Sequence, residues 1–268
     1  MAPIKTVLVT GASRGIGRKT AALLAAKGYR VYGTSRDPEG CPKIPDVKIL
    51  GLDVRSGRSV SDCARTVLGE AGGVDILVNN AGYLLLGALE ECSEGEALEQ
   101  FQTNFFGAVR MVNAVLPGMR ERGYGRIINV SSGAADFAMP FEGFYSASKA
   151  AMNIYTEGLR QELRHTGVTA SLVQPGFFVT GIRDYRKAVT ESISDYSKSK
   201  EHFERAYNHY FDNGQDPEKV ARTILRIVRS RSPGFRYRVG SDSRMLEFRR
   251  FLPDRVVQLL VRFHFRIH

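Results

Sequence analysis

Short apolar runs alternate with longer amphipathic ones along most of this chain. Ile4–Val9 is brief, rich in β-branched residues and apolar at consecutive positions, the pattern of a strand covered on both faces. Three glycines follow, then a helical pattern from Arg18 to Lys27 that Gly28 closes. Further strands are predicted over Tyr29–Thr34, Val47–Leu52, Val74–Val78, Gly125–Val130, Val168–Val173 and Arg236–Val239. Between them a 3.6-residue period predicts helices over Val60–Leu68, over Ser93–Leu116 behind a Ser93/Glu96 capping box, from about Tyr145 to His165, and from about Asp216 to Ser230. Such alternation predicts one doubly wound α/β domain over residues 1–268, with a parallel seven-stranded sheet and helices on both faces.

Ligands of such sheets bind beyond the carboxyl ends of the strands, and several unusual residues fall there. Directly behind the first strand stands Thr10-Gly11-Ala12-Ser13-Arg14-Gly15-Ile16-Gly17. Gly11 suits a tight turn, Gly15 a close approach to a pyrophosphate, and Gly17 the packing of helix on strand. Free N–H groups and the positive end of the helix dipole then face the phosphates, with Ser13, Arg14 and Ile16 completing the loop. The second strand ends at Ser35-Arg36. An acid there would accept from a ribose 2′-OH, whereas Arg36, joined by Arg14, favours a 2′-phosphate, so NADP(H) is expected over NAD(H). Asp37 could pair with Arg36 instead. Asp53-Val54 closes the third strand, either near the adenine amino group or as a helix N-cap that Ser56 or Ser59 would serve equally. Asn79-Asn80-Ala81-Gly82, Ser132 and Pro175-Gly176 close later strands.

Tyr145 and Lys149 stand four apart, on one helical face. A phenol titrating near ~10 is a poor acid or base at neutral pH, and a neighbouring ammonium would lower that value. Asn104 sits inside the Ser93–Leu116 pattern, where propensity disfavours it.

Taken together, the T-G-x-x-x-G-I-G loop, N-N-A-G, the helical Asn104, Ser132 thirteen residues before Tyr145, Y-x-x-x-K and P-G after the sixth strand resemble the short-chain dehydrogenase/reductase superfamily over residues 4 to 240. The resemblance implies a Rossmann-type fold and an oxidoreductase. It implies Tyr145 as general acid/base, Ser132 on the substrate carbonyl, Lys149 on the nicotinamide ribose, Asn104 in a proton relay and Thr180 on the carboxamide. A homodimer or homotetramer built on the long helices is implied as well. Tyr32-Gly33-Thr34-Ser35-Arg36-Asp37 and the basic tail look most like the hydroxysteroid and retinol dehydrogenase branch, and so point to a lipophilic ketone, aldehyde or alcohol. Residues 182–215 are the expected substrate-covering insertion, whose Tyr185, Tyr196, Phe203, Tyr207, Tyr210 and Phe211 are candidate pocket walls together with Tyr83, Phe137, Met139, Phe141, Phe144, Phe177 and Phe178, beside Ser132 and Tyr145. The alternatives are a relative that keeps the cofactor for isomerisation, epimerisation or dehydration, and a cofactor-sensing regulator, against which the intact Tyr-Lys pair argues.

Composition adds two points. The net charge of +10 lies wholly in Lys219–His268, with one Lys and twelve Arg against three acids. Within the expected basic extension over 241–268, Pro253–His268 alternates apolar residues with Arg255, Arg262 and Arg266. This basic amphipathic helix is expected to pack on its own domain or a second subunit, with peripheral membrane contact as the alternative and no nucleic-acid module in sight. Cys41, Cys63 and Cys92 are widely spaced and odd in number, and no metal site is expected. With no run near the ~18 apolar residues of a membrane span and no leader pattern, a cytoplasmic location is expected.

Overall fold

Successive side chains of a strand point to opposite faces, so a strand apolar at every position needs a helix on each side. The computed structural model, which describes residues 4–181, 185–240 and 252–265, shows how both faces are covered. Its strands are β1 Thr6–Val9, β2 Arg30–Ser35, β3 Val47–Gly51, β4 Ile76–Asn79, β5 Leu85–Leu86, β6 Gly125–Val130, β7 Val168–Pro175, β8 Lys187–Ala188 and β9 Arg236–Val239. Its helices are α1 Gly15–Ala25, α2 Gly57–Ala71, α3 Glu94–Phe101, α4 Gly107–Glu121, α5 Gly143–Glu162, α6 Ser194–Asp212, α7 Glu218–Arg229 and α8 Asp254–Phe265. Seven strands form one wholly parallel sheet in the order β3-β2-β1-β4-β6-β7-β9. This is the doubly wound Rossmann-type arrangement that the alternating pattern predicts.

On one face Val7, Val9, Ile76 and Val78 meet Ala21 and Leu24 of α1 and Val220 and Ile224 of α7. On the other, Leu8, Leu77 and Ile127 meet Val60 and Val67 of α2, Met111 and Val115 of α4 and Leu159 of α5. Each fully buried aliphatic side chain contributes roughly 2 kcal/mol, which makes this two-sided core the main source of stability. The chain runs outward from β1 to β3 and returns to β4 on the other side of β1. The crossovers diverge at that reversal, leaving a crevice beyond the strand ends.

Three features differ from the sequence expectation. The helix expected over Ser93–Leu116 is α3, then a π-helical turn over Gln102–Phe106, then α4, which runs on to Glu121. The insertion holds a 19-residue helix, α6, and the short strand β8, which pairs with β5 apart from the main sheet. Phe178 is no pocket wall: it is buried between β7 and α7, among Val173, Val220 and Ile224. Residues 182–184 of the insertion, and 241–251 and 266–268 of the basic extension, lie outside the described residues.

Candidate active site

The glycine turn is held by side chains behind it. The Thr10 hydroxyl accepts from the N–H groups of Asn80 (2.9 Å) and Ala81 (3.0 Å), and Asn80 Nδ2 donates to the carbonyls of Thr10 (3.0 Å) and Gly11 (3.1 Å). Its neighbour Asn79 donates to Asn129 of β6 (2.9 Å), so the two adjacent carboxamides brace different strands. Gly11 and Gly15 have φ of +67° and +52°, where a side chain would be strained. A Cβ on Gly17 would collide with the Gly11 carbonyl oxygen and Asn80 Nδ2. The first turn of α1 carries no side-chain cap and no acid, so its N–H groups face the crevice without a competing anion.

A cleft of about 350 Å³ runs from this turn. Of the expected cofactor residues, Gly11, Ser13, Arg14, Gly15, Ile16, Arg36, Asp53, Val54, Asn80, Ala81, Gly82, Tyr145, Lys149 and Thr180 line it. Gly17 is buried under the turn, and Pro175 and Gly176 stand behind the lining, where Gly176 donates to Val239 of β9 (2.9 Å). Asp37 does not engage Arg36; its carboxylate accepts from Gly40 N (2.9 Å). Asp53 is not the helix cap, which Ser56 provides. Instead Arg55 clasps Asp53 through Nε (3.0 Å) and a terminal nitrogen (2.8 Å) and holds its carboxyl below the ordinary range.

Arg55, Glu99 and Lys187 line the cleft and escaped the sequence reading, whereas Tyr185 is one of the insertion's expected pocket rings. Arg55 also pairs with Glu99 (2.6 Å), whose second oxygen takes Lys187 Nζ (2.8 Å). The Arg14 guanidinium stacks on the Tyr185 ring, 3.1 Å from its centroid. Tyr185 and Lys187 thus bring the insertion across the cleft. It is fastened by the β5–β8 pairing, by Thr190 on Glu96 (2.9 Å) and by Ile193 N on Glu91 (2.9 Å). Aromatic and cationic residues in a polar insertion were the available signal, but only the folded strap brings them to the phosphate loop.

At the far end, the Ser132 side chain lies against the Tyr145 hydroxyl and favours its ionised form. Lys149 Nζ donates to the Val130 carbonyl (3.0 Å) and lies 5.9 Å from the Tyr145 ring centroid. The expected lowering of the Tyr145 phenol is not found: burial pushes it up to about 12, against the effect of Ser132. Burial likewise pushes Lys149 down to about 8. Asn104 lies in the π-helical turn, which removes the conflict with helix propensity. Its carboxamide takes both backbone groups of Tyr83 (3.0 and 2.9 Å), and Nδ2 also donates to Ser148 Oγ (3.2 Å). The carboxamide and the Lys149 ammonium converge on Gly82.

Of the expected substrate residues, Tyr83 lines the cleft. Phe141 and Phe177 join Tyr145 in an aromatic cluster with Phe203, Tyr207, Tyr210 and Phe211 of α6. Phe137 is half-buried and stands outside both the lining and that cluster. Under the cluster lies Glu142, 1% exposed, hydrogen-bonded to Tyr207 and with Oε1 unpartnered. Burial raises its carboxyl to about 7. A carboxyl raised in the folded state costs stability once the unfolded chain ionises. The cost appears as pH climbs from 4.5, is complete near 7, and amounts to something on the order of 3 kcal/mol. Glu142→Gln is therefore expected to gain on the parent chain in melting temperature between pH 4.5 and 8. A constant difference across that range would mean that Glu142 ionises normally.

The family model described as short chain dehydrogenase matches residues 5–190. The chain belongs to this family. It is 40% identical over 265 residues to a 3-ketodihydrosphingosine reductase of Bacteroides thetaiotaomicron, spanning 97% of this chain and 98% of the relative. Retinol dehydrogenase 8 of Bos taurus is 36% identical over 260 residues, 88% of this chain and 82% of that protein. A solved short-chain dehydrogenase from Streptomyces avermitilis superposes with a TM-score of 0.82 at 31% identity, over 98% of this chain and 97% of that one. A serine dehydrogenase solved with NADP+ gives 0.73 at 26% identity, over 87% and 94%. The short-chain dehydrogenase described here is thus an oxidoreductase acting on keto or alcohol groups, and the resemblance to the retinol dehydrogenase branch holds.

Proposed function

We propose that this short-chain dehydrogenase is an NADPH-dependent reductase of a lipophilic ketone, with Tyr145 as its acid. The observation that carries the reading is the layout of one cleft: a glycine cradle and two arginines at one end, and Tyr145 and Lys149 at the other, with Ser132 against Tyr145 behind the lining. The residues fit a dinucleotide. A Cβ at Gly15 would stand 2.8 Å from the Thr180 carbonyl oxygen, so only a bare backbone leaves the cradle open under that loop. Arg36, with Arg14 held flat on Tyr185, would take the 2′-phosphate, and no acid occupies position 35 or 36 to repel it.

Bound NADPH supplies the hydride that reaches the carbonyl carbon. Ser132 Oγ and the Tyr145 hydroxyl both donate to the carbonyl oxygen and stabilise the charge that develops there. Tyr145 then gives up its proton, and the Lys149 ammonium stabilises the phenolate left behind. Lys149 also holds the ribose hydroxyls, while Asn104 fixes Tyr83 and Gly82 beside the ammonium and keeps the proton path to solvent in place. Phe141, Phe177 and the rings of α6 offer an apolar wall for the substrate chain. A long-chain keto base, such as the relative's 3-ketodihydrosphingosine, suits that wall.

Reduction needs the protonated forms of this relay, a neutral Tyr145 phenol and a charged Lys149 ammonium. Lys149 loses its proton near 8, so kcat/KM for reduction is expected to fall through a single step above about pH 8, while oxidation rises over the same interval. Initial rates in both directions from pH 6 to 10 would check this. Reduction that stays flat to pH 10 would remove Lys149 from the relay.

A further inference from the structure

Helix α8 has two apolar faces, and among the described residues only one is covered. Val257 is 8% exposed and Val261 packs on the aromatic cluster that contains Tyr145. At 100° per residue these two positions are neighbours, and Val256, Leu259 and Phe263 gather on the opposite side. Those three are 40%, 68% and 84% exposed, and Leu252, just ahead of the helix, is 42% exposed. Arg255 and Arg262 flank the outward stripe and are themselves exposed. A helix that needed only to cover its own domain would gain nothing from Leu259 and Phe263 in water.

The charge decides what covers the stripe. α8 belongs to the Lys219–His268 stretch that holds the net +10, and its own exposed charges are Arg255 and Arg262 against Asp254. A second copy would bring the same basic surface against itself, with like charges opposed at close range. An anionic bilayer complements both features, because the arginines meet headgroups while the apolar stripe enters the acyl boundary.

We infer that α8 docks this enzyme on anionic membranes through Leu252, Val256, Leu259 and Phe263, with Arg255 and Arg262 at the headgroups. Docking goes beyond the reductase reading. One consequence rests on that reading: because the inner face of α8 packs on the cluster beside Tyr145, a docked enzyme holds its substrate chamber next to the lipid in which a long-chain ketone dissolves.

The test uses the full chain and a Leu259→Glu/Phe263→Glu variant, neither position lying in the catalytic or cofactor machinery. Co-sedimentation is measured with phosphatidylcholine vesicles that contain or lack phosphatidylglycerol, at low and high salt. The parent chain is expected to bind the anionic vesicles, to release as salt rises, and to exceed the variant by about tenfold or more. Turnover of a short water-soluble ketone should be equal in the two proteins, which shows that the variant is folded. A long-chain ketone carried in the vesicles should be reduced faster by the parent chain alone. Equal vesicle binding by parent and variant, or none by either, overturns the inference. So does a drop in native mass for the variant with vesicle binding unchanged, which would assign the stripe to a second subunit. Vesicle binding without consumption of NADPH on any ketone would leave the docking intact and fell the reductase reading instead.

Discussion

Tyr145→Phe is expected to lower ketone-dependent NADPH oxidation by roughly 10³-fold while leaving NADPH affinity nearly unchanged. The ring packs on the buried cluster of Leu84, Leu86, Phe203 and Tyr207, and phenylalanine keeps that packing. Only the hydroxyl is lost, and with it the contact with Ser132 and the proton for the nascent alkoxide. Burial, helped by the nearby Glu142 carboxyl, drives this phenol to about 12, so it is a weak acid until charge appears on the substrate oxygen. The effect should therefore fall on kcat and leave KM for NADPH alone. Retention of activity within about tenfold would show that another group delivers the proton.

Arg36→Asp is expected to reduce the preference for NADPH over NADH by roughly 10²- to 10³-fold, read as the ratio of kcat/KM for the two cofactors. Two contributions add. A guanidinium hydrogen-bonded to phosphate is lost, at roughly 1.5–3 kcal/mol, and a carboxylate is set against the same phosphate. Position 36 also lies within the electrostatic reach of Asp53 and Glu99, whose carboxyls Arg36 helps to hold low. The substitution would leave four carboxylates at that end of the cleft, at positions 36, 37, 53 and 99. Arg14 remains on Tyr185, so NADPH binding should weaken without vanishing. An unchanged ratio would move 2′-phosphate recognition away from Arg36.

The parts of this protein that were legible beforehand are those set by local pattern. Ile4–Val9 followed by Gly11, Gly15 and Gly17 fixes a strand, a turn and a helix within a few residues, and the alternate burial of Val7, Leu8 and Val9 confirms the two-faced strand. Arg236–Val239 is found with the bounds expected of it. What escaped depends on distant partners. Phe203, Tyr207, Tyr210 and Phe211 are expected pocket rings and do gather with Phe141 and Phe177, but the helix α6 that aligns them is not read from a segment so rich in polar residues. The π-helical turn at Asn104 answers to the Tyr83 backbone and Ser148, which approach from other elements. The strap across the cleft needs Leu85–Leu86 and Lys187–Ala188 to pair over 100 intervening residues, a distance at which spacing carries no signal. The rise of the Tyr145 phenol, opposite to the lowering that its spacing from Lys149 predicts, has a related cause. Four residues of helix bring Lys149 near, yet its ammonium turns to the Val130 carbonyl, and burial outweighs it.

The central claim is ketone reduction by NADPH with Tyr145 as the proton donor. It is tested most directly by following NADPH consumption with long-chain ketones, 3-ketodihydrosphingosine among them, in the parent chain and in Tyr145→Phe side by side. The account predicts ketone-dependent loss of NADPH that vanishes in the variant. Undiminished consumption by Tyr145→Phe, or bound NADPH that no ketone discharges in the parent chain, would contradict it.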